Sequence, residues 1–490
     1  MNMRHKIILV LAVAGLSACS SFLKEESQSE VIPKTVSDFS ELLLGSGYPR
    51  IGTGASPSIT FVCLLDDDCA FNTKNWSDDD QVETSQAITP LPIYSWQPDM
   101  ADFNGYGAEI NATASATSYA QFYNKILGCN AVLDFIDEAI GTQQERDRVK
   151  AEALAVRALL YFQLVNLYGE PYNHNKDALG VPLKLDSDLS DMFIKRATVK
   201  EVYEDLIVPD LVEAARLMDP LTIVRGNFRV NQPAIHIILS RVYLYMEKYE
   251  ECIAEVQKAI EQGIVMVNMV TSLETMYNDD TLLRGYPSVA YSNPEVEWLF
   301  GLGVAFNDNA YPVAKSEEFQ AIWDKDNDRR YYANAFLPDA WGDIITTKPR
   351  GTTTRFGQCV RGPEAYLNRM EAYALSGQEG LALSELNAFR SMRITGHTNE
   401  SFSGQALLDE IRLERRKELC YEGHRWFDLR RQGMPEIRHQ YKFEKGGQMV
   451  TFTLKQGDPM YTLPIPKSIM DKNQALEQNG SRAMPERTAN

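Results

Sequence analysis

Residues 233–263 read PAIHIILSRVYLYMEKYEECIAEVQKAIEQG, and this stretch decides the fold class. Apolar residues recur at helical spacing on both sides of a short polar turn at Glu247 and Lys248. The first stripe is Ile235, Leu239, Val242 and Tyr243, and the second is Tyr249, Cys252, Ile253, Val256 and Ile260. Because neither helix can bury its apolar stripe alone, the sequence predicts two helices that pack against each other.

A second unit of the same kind spans residues 363–392, where two apolar patterns flank a turn at 376–378. Small residues such as Ala254 and Ala382 fall at close-contact positions, and the pairs therefore resemble tetratricopeptide repeats. Long insertions separate the pairs, so they cannot form one regular solenoid. The same periodicity predicts three further helices, at 143–168, 198–218 and 404–432.

Two regions between the helical blocks, residues 45–118 and 268–358, lack a helical period and are rich in aromatic, glycine, proline and asparagine residues. Loops of this length in a compact protein usually carry function. We therefore predict a mainly α fold, a tetratricopeptide-like helix-pair scaffold with long loop-rich insertions that carry little β structure. The predicted single domain spans 31–490, with the scaffold at 119–267 and 359–432 and a C-terminal segment at 433–490.

The composition limits the class of protein. The 490 residues are 44% hydrophobic, which suits a globular body, and a mean hydropathy of −0.30 excludes a polytopic membrane protein. A formal net charge of −18 repels polyphosphate and argues against a nucleic-acid partner. The sequence has no HExxH, GxSxG or Walker motif, so nothing in it indicates an enzyme or a cofactor.

The first residues have the pattern of an export signal. A basic start leads into Ile7 to Ala18, an uncharged run that is too short to span a bilayer. The run ends in Leu16-Ser17-Ala18-Cys19, which resembles the lipobox of bacterial lipoproteins. We expect a signal peptide at 1–18, lipidation of the Cys19 thiol and a polar tether at 19–30. The alternative is an ordinary signal peptide that ends by chance near a cysteine.

Cysteines and aspartates raise two further questions. Cys63 and Cys69 could bridge a short loop in an oxidising compartment, although sequence spacing does not give side-chain direction. We expect Cys129, Cys252 and Cys420 to be small core residues. The runs Asp66–Asp68 and Asp78–Asp80 could hold a structural calcium ion, but a solvated acidic loop is the commoner reason for such runs. No metal site is predicted.

The predicted helix at 404–432 carries closely spaced charges. These are Glu414, Arg415, Glu418, Glu422, Arg425 and Asp428. Acids beside arginines have lowered pKa values, which is the wrong direction for a neutral acid catalyst. We therefore interpret this stretch as a structural ion-pair network.

A series of short motifs resembles the SusD/RagB outer-membrane lipoproteins of Bacteroidetes over nearly the whole chain after Cys19. The motifs are YNKI at 123–126 with Asn130, AEALAVRA at 151–158, LYG at 167–169, GVPL at 180–183, RVN at 229–231, Asp328-Arg329, ERRKEL at 414–419, EGHRWFDL at 422–429, PIP at 464–466 and LEQN at 476–479. Gln432 and Gln474 depart from the family pattern, and both departures concern local packing.

The resemblance implies a function. Such a protein sits on the outer leaflet, faces the cell exterior and is held to the membrane only by its lipid anchor. It acts as a lid over a SusC-like TonB-dependent transporter, to which it passes a captured nutrient. Members of the family mostly take glycans and some take peptides, and the family is not catalytic.

Aromatic residues in the insertions are the candidate ligand contacts, because the C–H face of a sugar ring stacks on an aromatic face. The candidates are Trp76, Tyr94, Trp96, Tyr286, Tyr291, Tyr311, Trp323 and Trp341. The alternative for each is a ring that anchors its loop to the scaffold, and this alternative is strongest for Trp96 and Trp298. A secreted glycoside hydrolase and a pure protein-interaction scaffold stay open as other functions.

Overall fold

The fold is taken from a computed structural model of the chain. The structure describes residues 33–49, 59–71, 91–102, 112–189, 193–224, 226–272, 293–302, 313–333, 336–338, 344–346, 356–443 and 447–490.

The first helix pair comprises Gln232–Tyr245 and Tyr249–Glu261, as the apolar stripes predict. Asn231 caps the first helix, since its side chain accepts a hydrogen bond from the Ala234 amide. Between the helices Glu247 adopts a φ of 58°, and the Lys248 amide donates to the Tyr243 carbonyl at 2.9 Å. This tight turn lets the two apolar stripes face each other.

The second helix pair comprises Gly362–Leu375 and Glu379–Ser391. Its first helix packs against the second helix of the first pair, where the Cys252 thiol donates to the Asn368 carbonyl. Cys252 is fully buried, as expected, and so are Cys129 and Cys420. The two pairs therefore stack on each other, although a long insertion separates them in the sequence.

Two long helices, Ala112–Leu133 and Gln143–Tyr168, pack side by side in the core. Thr142 starts the second of these with a capping box that it forms with Glu145. Gly128 is required on the first helix, because a Cβ there would lie 2.4 Å from the backbone of Ser46.

The helix predicted at 198–218 is present and contains a π-helical stretch. Regular helix at Val199–Glu201 runs into π-helix at Val202–Ile207, and regular helix follows at Val208–Met218. Pro209, in the first turn after the π-helical stretch, has no amide hydrogen to donate to the preceding turn. The predicted helical span is confirmed.

The helix predicted at 404–432 divides into two. The charged helix, Gly404–Glu418, ends at a turn, and a second helix runs from Arg425 to Arg431. Tyr421 and Gly423 in the turn have φ values of 59° and 83°, which a continuous right-handed helix does not allow. The φ of Gly423 favours glycine, and a Cβ there would also crowd the side chain of Ile59 at 3.1 Å.

Strands are short, and those described form five antiparallel two-stranded ribbons. The paired strands are Cys69–Phe71 with Val313–Lys315, Leu179–Pro182 with Arg196–Thr198, Val296–Leu302 with Phe356–Arg361, Phe336–Pro338 with Ile344–Thr346, and Ile437–Tyr441 with Val450–Leu454. Short helices fill the rest, at Val36–Leu42, Leu91–Tyr94, Tyr172–Asn175, Met269–Ser272, Glu317–Ala321, Arg330–Ala333 and Lys467–Met470. The mainly α prediction with little β structure is confirmed.

Candidate ligand-binding face and its anchors

Strands from the two predicted insertions pair with each other. Cys69–Phe71 comes from the first insertion and Val313–Lys315 from the second, with Cys69 opposite Lys315 and Phe71 opposite Val313. We call this pair the insertion ribbon. The chain leaves the ribbon after Phe71 at the same end at which it enters at Val313, so the two insertions continue from one place.

Five of the eight predicted ligand contacts, Trp76, Tyr286, Tyr291, Tyr311 and Trp341, lie outside the described residues and stay predictions. Two of them are close in sequence to the insertion ribbon. Trp76 follows Phe71 by five residues, and Tyr311 precedes Val313 by two.

Tyr94 and Trp96 lie in the core instead of on a ligand face. Both rings stack on the imidazole ring of His439, with centroid distances of 4.2 Å for Tyr94 and 4.1 Å for Trp96. The Trp96 indole N–H donates to the Leu65 carbonyl at 3.1 Å, and Arg487 lies over the same ring. Since a sugar needs an open ring face, these contacts give both side chains a packing role.

Trp323 is also buried, at 6% exposure, and its ring packs against Phe319 and Tyr331 with Lys417 nearby. Trp323 therefore anchors its loop instead of presenting a ring to a ligand. This is the alternative left open for every aromatic candidate. Trp298, expected to be structural, is fully buried beside Tyr48.

The acidic loop, Asp66–Asp68, fixes the first insertion to the scaffold. Asp67 accepts two hydrogen bonds from Arg425, at 2.7 and 2.6 Å, and Asp68 accepts one from Arg416 at 2.7 Å. Asp66 and Asp68 are only 4% and 1% exposed. The interpretation as a solvated loop is wrong, because the loop is buried and paired with arginines. The sequence could not indicate this pairing, since the arginines lie about 350 residues further along the chain.

The pKa values of the three carboxyl groups in the acidic loop shift in different directions. Burial and the neighbouring Asp68 carboxylate hold the pKa of Asp66 well above its usual value. Burial also raises the pKa of Asp68, although Arg416 opposes the shift. Burial opposes the charge of Asp67 too, but Arg425 outweighs it and lowers the pKa of Asp67 to about 2.

The acidic loop brings three carboxylates together, since one oxygen from each of Asp66, Asp67 and Asp68 lies within 4.8 Å of the others. The sequence left this loop open as a possible calcium site. Arg416 and Arg425 already supply positive charge to two of these carboxylates. The contacts that hold the loop in this structure are therefore ion pairs. The second acidic run, Asp78–Asp80, lies outside the described residues.

The second insertion is fixed by what we call the arginine junction, three buried guanidinium groups around Glu418. The carboxylate of Glu418 lies 3.2 Å from Arg330, 2.6 Å from Arg361 and 3.1 Å from Arg393. Arg330 belongs to the second insertion, and Glu418 ends the charged helix of the scaffold. The predicted ion-pair network is confirmed, and its purpose is to join an insertion to the scaffold.

Several further carboxylates complete this network. Arg330 lies 2.8 Å from Asp328 and 2.6 Å from Glu414, while Arg361 lies 2.8 Å from Glu422. Although burial opposes the charge, the surrounding arginines hold the pKa of Glu418 well below its usual value and lower that of Glu414 to about 2. These carboxylates are therefore charged partners for the arginines.

Sequence reasoning missed a cleft near the start of the described chain. The cleft has a volume of about 620 Å³, and the half-exposed Phe228 and Val224 line it together with Arg148 and Glu145. The cleft lies against the helix Val36–Leu42, and the insertion ribbon contributes no residue to its lining.

A family model described as "Starch-binding associating with outer membrane" matches residues 62–244, and one described as "SusD family" matches residues 345–481. Together the two matches cover well over half of the chain. The chain is 22% identical to "SusD-like protein P38" of Formosa agariphila, over 87% of this chain and 91% of that protein.

Solved structures give the same result for the fold. A SusD-like carbohydrate binding protein from Bacteroides vulgatus superposes with a TM-score of 0.66 at 21% identity, over 90% of this chain and 97% of that one. A SusD superfamily protein from Bacteroides thetaiotaomicron also has a TM-score of 0.66, at 23% identity, over 91% and 99% of the two chains.

Among the described residues, no helix combines the length and the apolar character that crossing a membrane requires. The family is associated with the outer membrane, and its members are binding proteins rather than enzymes. The matched family models, the relatives and the shared fold lead to one conclusion: the chain belongs to the SusD family.

Proposed function

We propose that this protein is a lipid-anchored lipoprotein of the outer membrane that faces the cell exterior, binds a nutrient glycan and passes it to a SusC-like TonB-dependent transporter. Cys19 carries the lipid, and the insertions carry the ligand face. The protein binds its ligand without cleaving it and uses no cofactor.

The pairing of the two insertions in one ribbon is the observation that carries the ligand face. Phe71 and Val313 are paired, Trp76 follows Phe71 by five residues in the sequence, and Tyr311 precedes Val313 by two. This closeness in sequence to one end of the ribbon supports the proposal that both aromatic residues serve one ligand face.

The chemistry favours an uncharged, ring-shaped ligand. Aromatic faces bind the C–H side of a sugar, while a net charge of −18 disfavours an anionic polymer. A peptide ligand is the alternative, since aromatic faces also accept peptide side chains.

Anchoring is tested with Cys19→Ala and the matched control Ser20→Ala in cells that export the full chain. Labelled palmitate should enter the wild type and the control but not Cys19→Ala, and globomycin should block processing. Protease added to intact cells should digest the anchored protein. Protection from this protease would place the protein on the inner side of the membrane and contradict the role of a transporter lid.

Ligand binding is tested on glycan and peptide arrays with Trp76→Ala and Tyr291→Ala. Phe135→Ala is the matched control, because Phe135 is an aromatic residue, 54% exposed, outside both insertions. Glycan spots lost in the two variants and kept in the control support the proposal. Wild-type binding by both variants contradicts the chosen face, and peptide spots alone identify the peptide alternative.

Two further measurements separate the other functions. Release of reducing ends from a bound glycan would identify a glycoside hydrolase, and a substitution of one acid should then abolish release but spare binding. The transporter is sought as a TonB-dependent β-barrel that copurifies from detergent-solubilised membranes. Copurification without any affinity for glycans or peptides would identify a protein-interaction scaffold.

A further inference from the structure

Cys63 precedes the acidic loop in the sequence, and Cys69 follows it directly. Cys63 lies in the short 3-10 helix Thr60–Leu64, and Cys69 is the first residue of the insertion ribbon. Both side chains are buried, at 3% and 2% exposure, and a hydrogen bond joins them in the thiol form. Sequence spacing left the direction of these side chains open, and the structure turns them toward each other.

The loop between the two cysteines is held at several points. Its carboxylates bind Arg416 and Arg425, and its backbone carbonyl at Asp68 accepts hydrogen bonds from the Tyr421 hydroxyl at 3.1 Å and from the Ser316 amide at 2.9 Å. These contacts fix the backbone between the two cysteines. Because the thiols are already hydrogen-bonded to each other, a bond between the sulfurs would close a short loop whose ends lie close together.

We propose that Cys63 and Cys69 form a disulfide bond in the exported protein. This inference rests on the proposed function, because only export brings the chain to an oxidising compartment. The oxidant is the disulfide of an envelope thiol oxidoreductase. One cysteine thiolate attacks that disulfide and releases its first thiol, and the other then attacks the mixed disulfide and releases the second. Two thiols are oxidised, and one disulfide is reduced to two thiols.

The bond forms before the loop is buried. In the folded protein, burial and the hydrogen bond to Cys63 hold the pKa of Cys69 well above its usual value, so little of the reactive thiolate is present. The same burial protects the finished disulfide from reductants. The bridge then closes the loop from Cys63 to Cys69 within the first insertion and fixes the start of one strand of the insertion ribbon.

The test is two-step alkylation of the full chain purified from the envelope of exporting cells. The protein is denatured without reductant and blocked with a first reagent, then reduced and labelled with a second reagent before peptide mass spectrometry. We expect the second label on Cys63 and Cys69 only. Cys129, Cys252, Cys359 and Cys420 should carry the first label.

The state of Cys19 separates the two proposals. A lipidated Cys19 takes neither label, whereas a first label on Cys19 shows that anchoring has failed. First label on Cys63 and Cys69 in protein whose Cys19 is blocked overturns the disulfide and leaves the proposed function standing. A second label on any other pair also overturns it.

A second arm does not depend on export. The full chain is unfolded, reduced and refolded with oxidised and reduced glutathione, and the intact mass should fall by about 2 Da as the pair closes. The variant Cys63→Ser should keep the reduced mass and melt at a lower temperature than the oxidised wild type. A wild type that refolds without this loss of mass contradicts the proposal even if export fails.

Discussion

The arginine junction and the acidic loop each fix one insertion to the scaffold, but the arginines are distributed differently among the carboxylates. At the junction three guanidinium groups contact the single Glu418 carboxylate, whereas at the loop Arg416 and Arg425 pair with Asp67 and Asp68. The pKa of Glu418 is accordingly lowered, while that of Asp66 is raised. Which charged groups lie next to a buried carboxyl group decides whether that group holds a charge or a proton.

The largest effect should come from Glu418→Gln, which removes the charge that three buried arginines share. Breaking a buried ion pair from one side costs about 3 to 5 kcal/mol, so the free energy of unfolding in urea should fall by at least about 3 kcal/mol. Glu436→Gln is the control, because its ion pair with Arg438 is exposed and should contribute less than about 1 kcal/mol. Equal losses in the two variants contradict a junction centred on Glu418.

A smaller, local effect is expected for Arg425→Gln, which breaks the two-point contact with Asp67. Loss of a charged hydrogen-bond partner costs about 1.5 to 3 kcal/mol. Hydrogen exchange should accelerate at the amides of residues 59–71 and stay unchanged in the helix Gln143–Tyr168. Uniform acceleration across both segments indicates a global loss of stability instead of a released loop.

The pH dependence of the free energy of unfolding should change in opposite directions when Asp66 and Asp67 are each replaced by asparagine. Since the fold raises the pKa of Asp66, its stabilising contribution is complete below the unfolded pKa of about 3.9 and is lost as the pH rises through the folded pKa. Asp66→Asn should therefore gain stability over the wild type as the pH rises from 4 toward 8. The measurement is the free energy of unfolding at a series of pH values.

Asp67→Asn is the matched comparison for that series. The fold lowers the pKa of Asp67 to about 2, so its contribution is present above pH 4 and is lost as the pH falls toward 2. This variant should be less stable than the wild type at pH 7 and approach it in acid. Parallel pH profiles for the two variants contradict the assignment of a proton to Asp66 and a charge to Asp67.

The smallest effect concerns a buried cation that two acids share. His236 lies 2.6 Å from Glu255 and 3.1 Å from Asp219, and although burial opposes its charge, the two acids raise its pKa. Its contribution is complete below about pH 6.5 and is lost as the pH rises through the folded pKa. His236→Gln should flatten that part of the stability profile, and the exposed His174→Gln should leave it unchanged. A profile that His236→Gln does not alter contradicts this reading.

The helical scaffold could be predicted because its signals are local. The stripe from Ile235 to Tyr243 repeats within a few residues, and Thr142 caps the helix that begins at Gln143. Apolar periodicity could not predict where the helices depart from regular geometry. Gly423 stands where the predicted helix at 404–432 breaks, and Pro209 follows the π-helical stretch of the helix at 198–218; their backbone preferences were the available signals.

The candidate site was harder to predict because its partners are distant in sequence. Nothing near Asp67 indicates that Arg425 will bind it, and nothing near Trp96 indicates that His439 will cover its ring. The charged helix was correctly interpreted as an ion-pair network because acids and arginines alternate within it. Its role in holding the second insertion depends on Arg330 and required the fold.

The most direct test of the two-insertion ligand face is a calorimetric titration of a glycan identified on the array. A stacked ring contributes about 1 kcal/mol, so Trp76→Ala and Tyr311→Ala should each weaken binding roughly fivefold. Phe135→Ala should bind as the wild type does. Wild-type affinity in either insertion variant would contradict the claim that both insertions bind one ligand.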